Sequence, residues 1–304
     1  MERYQTLDQY YKSRFGGKVY KLALDAGFTC PNRDGTLDTR GCIFCSAGGS
    51  GDFAEVSCGS VAEQIEAAKL RVSKKAKNAV GYIAYLQSYT NTYAPLARLR
   101  ELYFSLASCK DIVGVSIATR PDCLGEDVLE LLSELNQKIP VFVELGLQTI
   151  WEETASLIRR GYTLEVFDKA LENLKKIGVN VIVHVILGLP GETHKMMLET
   201  VKYVGKSGAD GIKIQLLHIL KETDLYEMYR NGLCDAMEEN EYLTLVCEAL
   251  EWLPSNMVIH RLTGDGPKST LVAPLWSANK REVLNRLRKM LEERDVHQGA
   301  RLVE

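Results

Sequence analysis

No stretch of this 304-residue chain stays apolar for the length of a membrane span: the longest run, Val179 to Pro190, is broken by His184 and by glycine. The first thirty residues likewise lack an apolar segment of signal-peptide type. Membrane insertion and export are therefore not expected, and the cytosol is the expected compartment. Charge of one sign is also missing, since 37 Lys and Arg against 40 Asp and Glu leave a net charge of only -3. That balance gives no global signal for nucleic acid. Internal repeats, low-complexity segments and linkers are absent too, which favours a single domain.

What is present is a regular alternation. The 304 residues, 46% hydrophobic and 25% charged, have the composition of a soluble globular protein able to bury a large core. Runs at Val19 to Asp25, Ala79 to Leu86, Ile112 to Ala118, Pro140 to Leu147, Val179 to Leu187 and Gly211 to Leu217 read as strands. Between them Leu96, Leu99, Tyr103 and Leu106, and again Leu164, Phe167, Leu171 and Leu174, recur at the spacing of an amphipathic helix. Ser60 with Glu63 reads as a capping box, and Glu241 to Leu253 and Asn279 to Arg294 read as closing helices. Repeated strand–helix units imply a parallel sheet with right-handed crossovers, buried on both faces. The expected fold is α/β: a partial (β/α)6 TIM-type barrel with a C-terminal helical extension, and with Met257 to Leu262 as a further strand candidate.

In such folds chemistry gathers at the C-terminal ends of strands. Here those ends read Gln87 to Thr92, Thr119 to Asp122, Glu144 to Thr149, His184 through Glu192, and Lys213 to His218. Polar groups buried there without partners would each cost a few kcal/mol, so around one rim they point to a polar ligand.

Cys30, Cys42 and Cys45 stand in the order Cys-x11-Cys-x2-Cys. Three thiolates are one too few for a closed four-ligand site, and a four-iron cluster held by three keeps an open position for chemistry. Cys58, with twelve residues between it and Cys45, offers a four-cysteine zinc site as an alternative, although zinc ligands usually come as two close pairs. Cys109, Cys123, Cys234 and Cys247 are single and read as packing residues.

The three cysteines with Phe44, together with Gly188-Leu189-Pro190-Gly191-Glu192 and Ala118-Thr119-Arg120-Pro121-Asp122, resemble the radical S-adenosylmethionine (SAM) superfamily in its Elongator-like branch. The long first gap departs from the commoner Cys-x3-Cys-x2-Cys and suits that branch. Gly16 to Lys21, Asp25 to Gly35, Gln87 to Pro95 and Thr263 to Gly266 resemble one bacterial subfamily linked to wobble-uridine maturation in transfer RNA. The resemblance implies one radical SAM domain over residues 1–304, with a core of about 18–220 and an extension of about 221–304. Leu262 to Glu304 is too short for an Elongator-type acetyltransferase domain, so acetyl transfer is not expected.

The resemblance further implies that Cys30, Cys42 and Cys45 hold a 4Fe-4S cluster whose fourth iron binds SAM. Reduction by a donor such as flavodoxin or ferredoxin then releases a 5′-deoxyadenosyl radical that abstracts hydrogen. Phe44, Gln87, Thr90, Asn91, Glu144, Gln148, Gly188 and Pro190 are the expected SAM-binding residues. Lys213, His184 and Gln215 are the expected catalytic residues further round the rim, with Lys213 expected to contact SAM or substrate, since a buried ammonium without a carboxylate or ligand is costly. For His184 and His218, a satisfied core histidine is the competing reading. The expected reaction converts a carboxymethylaminomethyl group at position 5 of the wobble uridine into aminomethyl. Two basic runs, Lys69 to Lys77 and Lys280 to Lys289, read either as solvated helix faces or as surfaces that track transfer RNA. The alternatives are a small-metabolite or protein substrate for the same chemistry, and a non-catalytic zinc-stabilised RNA-binding protein.

Overall fold

Strands with little polar interruption form where the sequence offers β-branched runs bounded by turn residues. The computed structural model describes residues 3–49, 51–55, 59–264 and 266–302. Six strands, β1 (Lys18–Leu24), β2 (Ala79–Leu86), β3 (Ile112–Thr119), β4 (Val141–Gln148), β5 (Asn180–Leu187) and β6 (Gly211–Leu216), pair in parallel in chain order. Two short strands of the C-terminal extension, β7 (Ile219–Leu220) and β9 (Leu271–Ala273), pair antiparallel, and between them β8 (Val258–Arg261) joins β6 in parallel. The main sheet therefore has seven strands and curls into an open partial barrel. The seventh is the Met257 to Leu262 segment, so the extension is not purely helical.

The strands alternate between two environments. Outward positions such as Leu22, Leu24, Val143, Leu145, Val181, Val183 and Val185 are fully buried beneath the helices. Those helices are α2 (Val61–Val72), α3 (Leu96–Ser108), α4 (Glu126–Asn136), α5 (Glu152–Leu157), α6 (Leu164–Lys176) and α7 (His194–Lys206). Leu99, Tyr103 and Leu106 of α3 and Phe167, Leu171 and Leu174 of α6 meet the sheet, each contributing roughly 1.5 to 3 kcal/mol of burial. Ser60 and Glu63 form the capping box that starts α2.

Inward positions stack in layers that follow the two-residue period of a strand. Val19, Ile83, Phe142 and Ile182 form an apolar floor, closed from below by Tyr11 of α1 (Leu7–Phe15). Two residues further along come Lys21, Tyr85, Ser116, Glu144 and His184, and two further still Gln87, Ala118, Gly146 and Ile186. The extension adds α8 (Asp224–Arg230), α9 (Glu239–Glu251) and α10 (Lys280–Glu293), with α9 packed on α7 and α10 on α9. Among the described residues no helix is long and apolar enough to cross a membrane.

Candidate active site

The cysteines sit in the loop between β1 and α2, past the C-terminal ends of the strands. Two side chains hold that loop from behind. Buried Asn32 donates its amide to the Arg159 carbonyl at 2.7 Å and to the Arg160 carbonyl at 3.3 Å, and lies 3.6 Å from Cys42 Sγ. Arg33 donates to the carbonyls of Cys45 and Ser46 at 2.8 and 2.7 Å. Gly41, at φ +76°, lets the Arg33 side chain pass, since a Cβ there would lie 2.8 Å from Arg33 Nε.

All three thiols line one cavity of about 1130 Å³. Burial, with Cys45 and Cys30 as neighbours, pushes the Cys42 thiol up to about 12, and a bound cation reverses that penalty. Among the described residues no three His, Cys, Asp or Glu side chains gather as the ligands of a single metal ion. Cys58, the fourth ligand of the zinc alternative, lies outside the described residues. Three sulfur donors lining one cavity, with the Asn32 amide and the Arg33 guanidinium behind them, are a donor set that would hold an iron–sulfur cluster through Cys30, Cys42 and Cys45.

Phe44, Gln87, Thr90, Glu144, Gln148, His184, Lys213 and Gln215 line the same cavity. Asn91, Gly188 and Pro190 do not. Asn91 is fully buried, and its amide donates to the carbonyls of Leu86, Ser88 and Ala118 at 3.0 to 3.1 Å, bracing the loop that carries Gln87 and Thr90. Gly188 and Pro190 make the turn from β5 towards α7, with Gly188 at φ +91°.

The deep wall of the cavity is a charged cluster around Glu144. One carboxylate oxygen contacts Lys21 and accepts from Ser116 Oγ at 2.9 Å; the other contacts Lys213 and lies 2.9 Å from His184 Nε2. Burial alone would raise the Glu144 carboxyl, but Lys21, Lys213 and His184 outweigh it and hold it well below the ordinary value. Lys213 donates to Tyr85 OH at 3.2 Å, and its ammonium lies 4.6 Å from the Tyr85 ring centroid. Burial lowers its pKa, helped by Lys21 and Arg261 and opposed by Glu144. Burial and Lys213 bring His184 down to about 4, so its ring is neutral near pH 7. Gln215 Nε2 lies 3.4 Å from His184 Nδ1. His218 lies at the far wall, 3.1 Å from Ser277 Oγ.

Sequence reasoning did not single out Tyr162, Arg160, Arg261 or Lys21. The Tyr162 ring lies between the guanidinium groups of Arg120 and Arg160, each 4.9 Å from its centroid, while its hydroxyl is 3.0 Å from Gln148 Oε1. Arg160 is fully buried and donates to the carbonyls of Leu147, Thr149 and Tyr162. Strand period marks Lys21 and Tyr85 as inward residues; β8 is too short to mark Arg261 in that way.

The family model described as the radical SAM superfamily matches residues 39–204, and a radical SAM C-terminal domain model matches residues 209–293. Cys42 and Cys45 fall within the first match, and Cys30 just ahead of it. The Bacillus subtilis protein YtqA is 47% identical over 98% of this chain and 92% of its own length. A tRNA uridine(34) acetyltransferase of Methanocaldococcus jannaschii is 30% identical over 57% of this chain, which spans only 32% of that protein. The solved structure of archaeal Methanocaldococcus infernus Elp3 superposes with a TM-score of 0.69 at 20% identity, over 92% of this chain and 64% of that one. The fold, the domain matches and the curated relatives agree, and the chain belongs to the radical SAM superfamily, in its Elongator-like branch.

Proposed function

We infer that this enzyme acts on the wobble uridine of transfer RNA, converting a carboxymethylaminomethyl group at position 5 into aminomethyl. One observation carries the reading: a single cavity places the three cysteines on its rim and a cationic layer at its depth, with room for an unstacked nucleotide between them. The aromatic rings of Phe44, Phe53 and Tyr89 line the same cavity, as suits a base drawn out of its stack. The relative named for acetylation at uridine 34 supports that nucleotide as the target.

Cys30, Cys42 and Cys45 would hold the 4Fe-4S cluster. The chemistry available once cluster and SAM are bound is reductive cleavage of SAM and hydrogen abstraction from the substrate. Phe44 would set an aromatic face beside adenine, with Gln87, Thr90 and Gln148 bonding polar groups at the rim. Asn91 acts behind them as a positioning residue. Lys213, His184 and Gln215 face the substrate side. A cytosolic flavodoxin or ferredoxin would supply electrons. The test is nucleoside analysis of RNA from a deletion strain. Accumulated carboxymethylaminomethyl-uridine is expected, and unchanged wobble uridines would remove this substrate.

The two basic runs face different ends of the barrel. Lys74, Lys75 and Lys77 lie in the turn that enters the N-terminal end of β2, away from the cavity. Lys280, at the start of α10, lines the cavity mouth together with Lys268. That separation is what favours the second reading, a small metabolite or protein substrate. Joint Lys268→Glu and Lys280→Glu substitution is expected to weaken transfer RNA binding about tenfold and to reduce the salt slope by about 2, whereas Lys74→Glu with Lys75→Glu should change affinity by less than about twofold. Salt-independent binding in the unmodified protein would favour the second reading.

A further inference from the structure

Strand β4 bulges where it ends at the cavity. Gly146 pairs with His184 of β5, but Gln148 pairs with Val185, so β4 carries one residue more than its neighbour over that step. Gln148 also takes a left-handed φ of +63°, a conformation that side-chain-bearing residues rarely adopt. The bend folds its side chain back over Gly146. A Cβ at Gly146 would point into the barrel and lie 2.7 Å from the Gln148 amide nitrogen, so glycine there gives the amide its place.

Tyr162 holds that amide from the other side. Its ring is fixed between the guanidinium groups of Arg120 and Arg160, each 4.9 Å from the ring centroid. Its hydroxyl lies 3.0 Å from the Gly146 carbonyl oxygen and 3.0 Å from the Gln148 amide oxygen. A hydroxyl has one hydrogen, and two oxygen acceptors cannot both receive it at full strength. The backbone carbonyl can only accept. The glutamine amide can turn over with almost no change of shape, and it then offers an N–H to the Tyr162 oxygen. With the amide so turned both contacts are hydrogen bonds: Tyr162 donates to Gly146 and accepts from Gln148. The amide oxygen then takes the position over Gly146, on the cavity side.

We propose that Tyr162 is a positioning residue that sets the orientation of the Gln148 amide, so that Gln148 meets the bound ligand as a hydrogen-bond acceptor. The ligand group it takes is an N–H or O–H donor. SAM carries such donors on its ammonium, its adenine amine and its ribose; a nucleotide substrate carries them on its ribose and base. That Gln148 meets a ligand rests on the function proposed above, whereas the orientation of its amide does not. Reversing the amide costs twice: it sets two oxygens against one Tyr162 hydrogen, and it presents an N–H to a ligand group that is itself a donor.

The experiment measures SAM binding to cluster-loaded protein by calorimetry, with anticodon stem-loop RNA titrated in parallel. Tyr162→Phe frees the amide and should weaken binding of the ligand that Gln148 meets by about fivefold, the worth of one ordinary hydrogen bond. Gln148→Glu presents an oxygen whichever way it turns, so it should bind that ligand at least about fivefold more tightly than Gln148→Leu, and Tyr162→Phe added to it should then cost less than about twofold. A merely structural tyrosine would cost the same in both backgrounds. Whichever of SAM and RNA follows the pattern is the source of the donor. Equal costs of Tyr162→Phe with glutamine and with glutamate at position 148, for both ligands, overturn the proposal. So does Gln148→Glu binding both ligands no more tightly than Gln148→Leu, a comparison that stands even if Tyr162→Phe does not fold. If SAM follows the pattern while the RNA does not bind, the wobble-uridine reading fails and the role of Tyr162 stands.

Discussion

Replacing Cys42 with serine will strip the protein of its iron and reduce 5′-deoxyadenosine formation from SAM to background. The expectation follows from the donor count. Three thiols line the cavity wall, and Asn32 and Arg33 fix the backbone that presents them. Losing one leaves two anchors for a cluster that needs three, since a hydroxyl is a far weaker iron ligand than a thiolate. Cys30→Ser and Cys45→Ser should behave alike. Cys234, half-buried in the extension and not among the cavity-lining residues, is the control: Cys234→Ser should keep full iron content. Iron and sulfide analysis of anaerobically purified protein, with product chromatography, reads both outcomes. Undiminished iron and SAM cleavage in Cys42→Ser would remove the proposed ligand set. A colourless, zinc-loaded protein would instead revive the zinc alternative.

The second large effect concerns stability. Glu144→Gln keeps the shape of the side chain but leaves Lys21 and Lys213 without their shared carboxylate at a site where Glu144 has no exposed surface. Breaking a buried ion pair by removing one partner costs about 3 to 5 kcal/mol, because the remaining charge stays desolvated. A lower denaturant midpoint with an unchanged m-value is expected, together with weakened substrate binding. The pH dependence has a definite sign. The native-state pKa of Glu144 is depressed, so its stabilisation is present above the ordinary carboxyl value of 4.5 and is lost as pH falls towards the lower native value. Wild type and Glu144→Gln should therefore differ most near neutrality and converge in strong acid. A gap that widened in acid would show that Glu144 is not stabilised as an anion.

Much of the scaffold is legible in the sequence because its elements are set by short-range periodicity. The six expected strands occur within about two residues of their expected ends, and the capping box at Ser60 starts α2 where local chemistry places it. The seventh strand is harder to read. Four residues are too few to show a period, and β8 exists because β6 offers it an edge. Site residues divide in the same way. Position at a strand end identifies Gln87, Gln148, Lys213 and Gln215 as cavity residues, but it cannot show that Asn91 turns its amide back onto three carbonyls. Nor can it show that the Gly188 and Pro190 turn lies outside the cavity, or that the two basic runs sit at different ends of the barrel.

What the sequence by itself determined is the set of parts: parallel strand–helix units, and three cysteines spaced to leave one metal position open. Periodicity and ligand spacing are local properties, and local properties survive without the fold. Only the tertiary structure decided which charges share a layer. The pairing of Lys213 with Arg261, and the convergence of Lys21, Lys213, His184 and Ser116 on Glu144, depend on register between strands contributed by distant parts of the chain. A shift of one residue in that register would turn the same side chains out of the barrel and into the apolar layer beneath the helices.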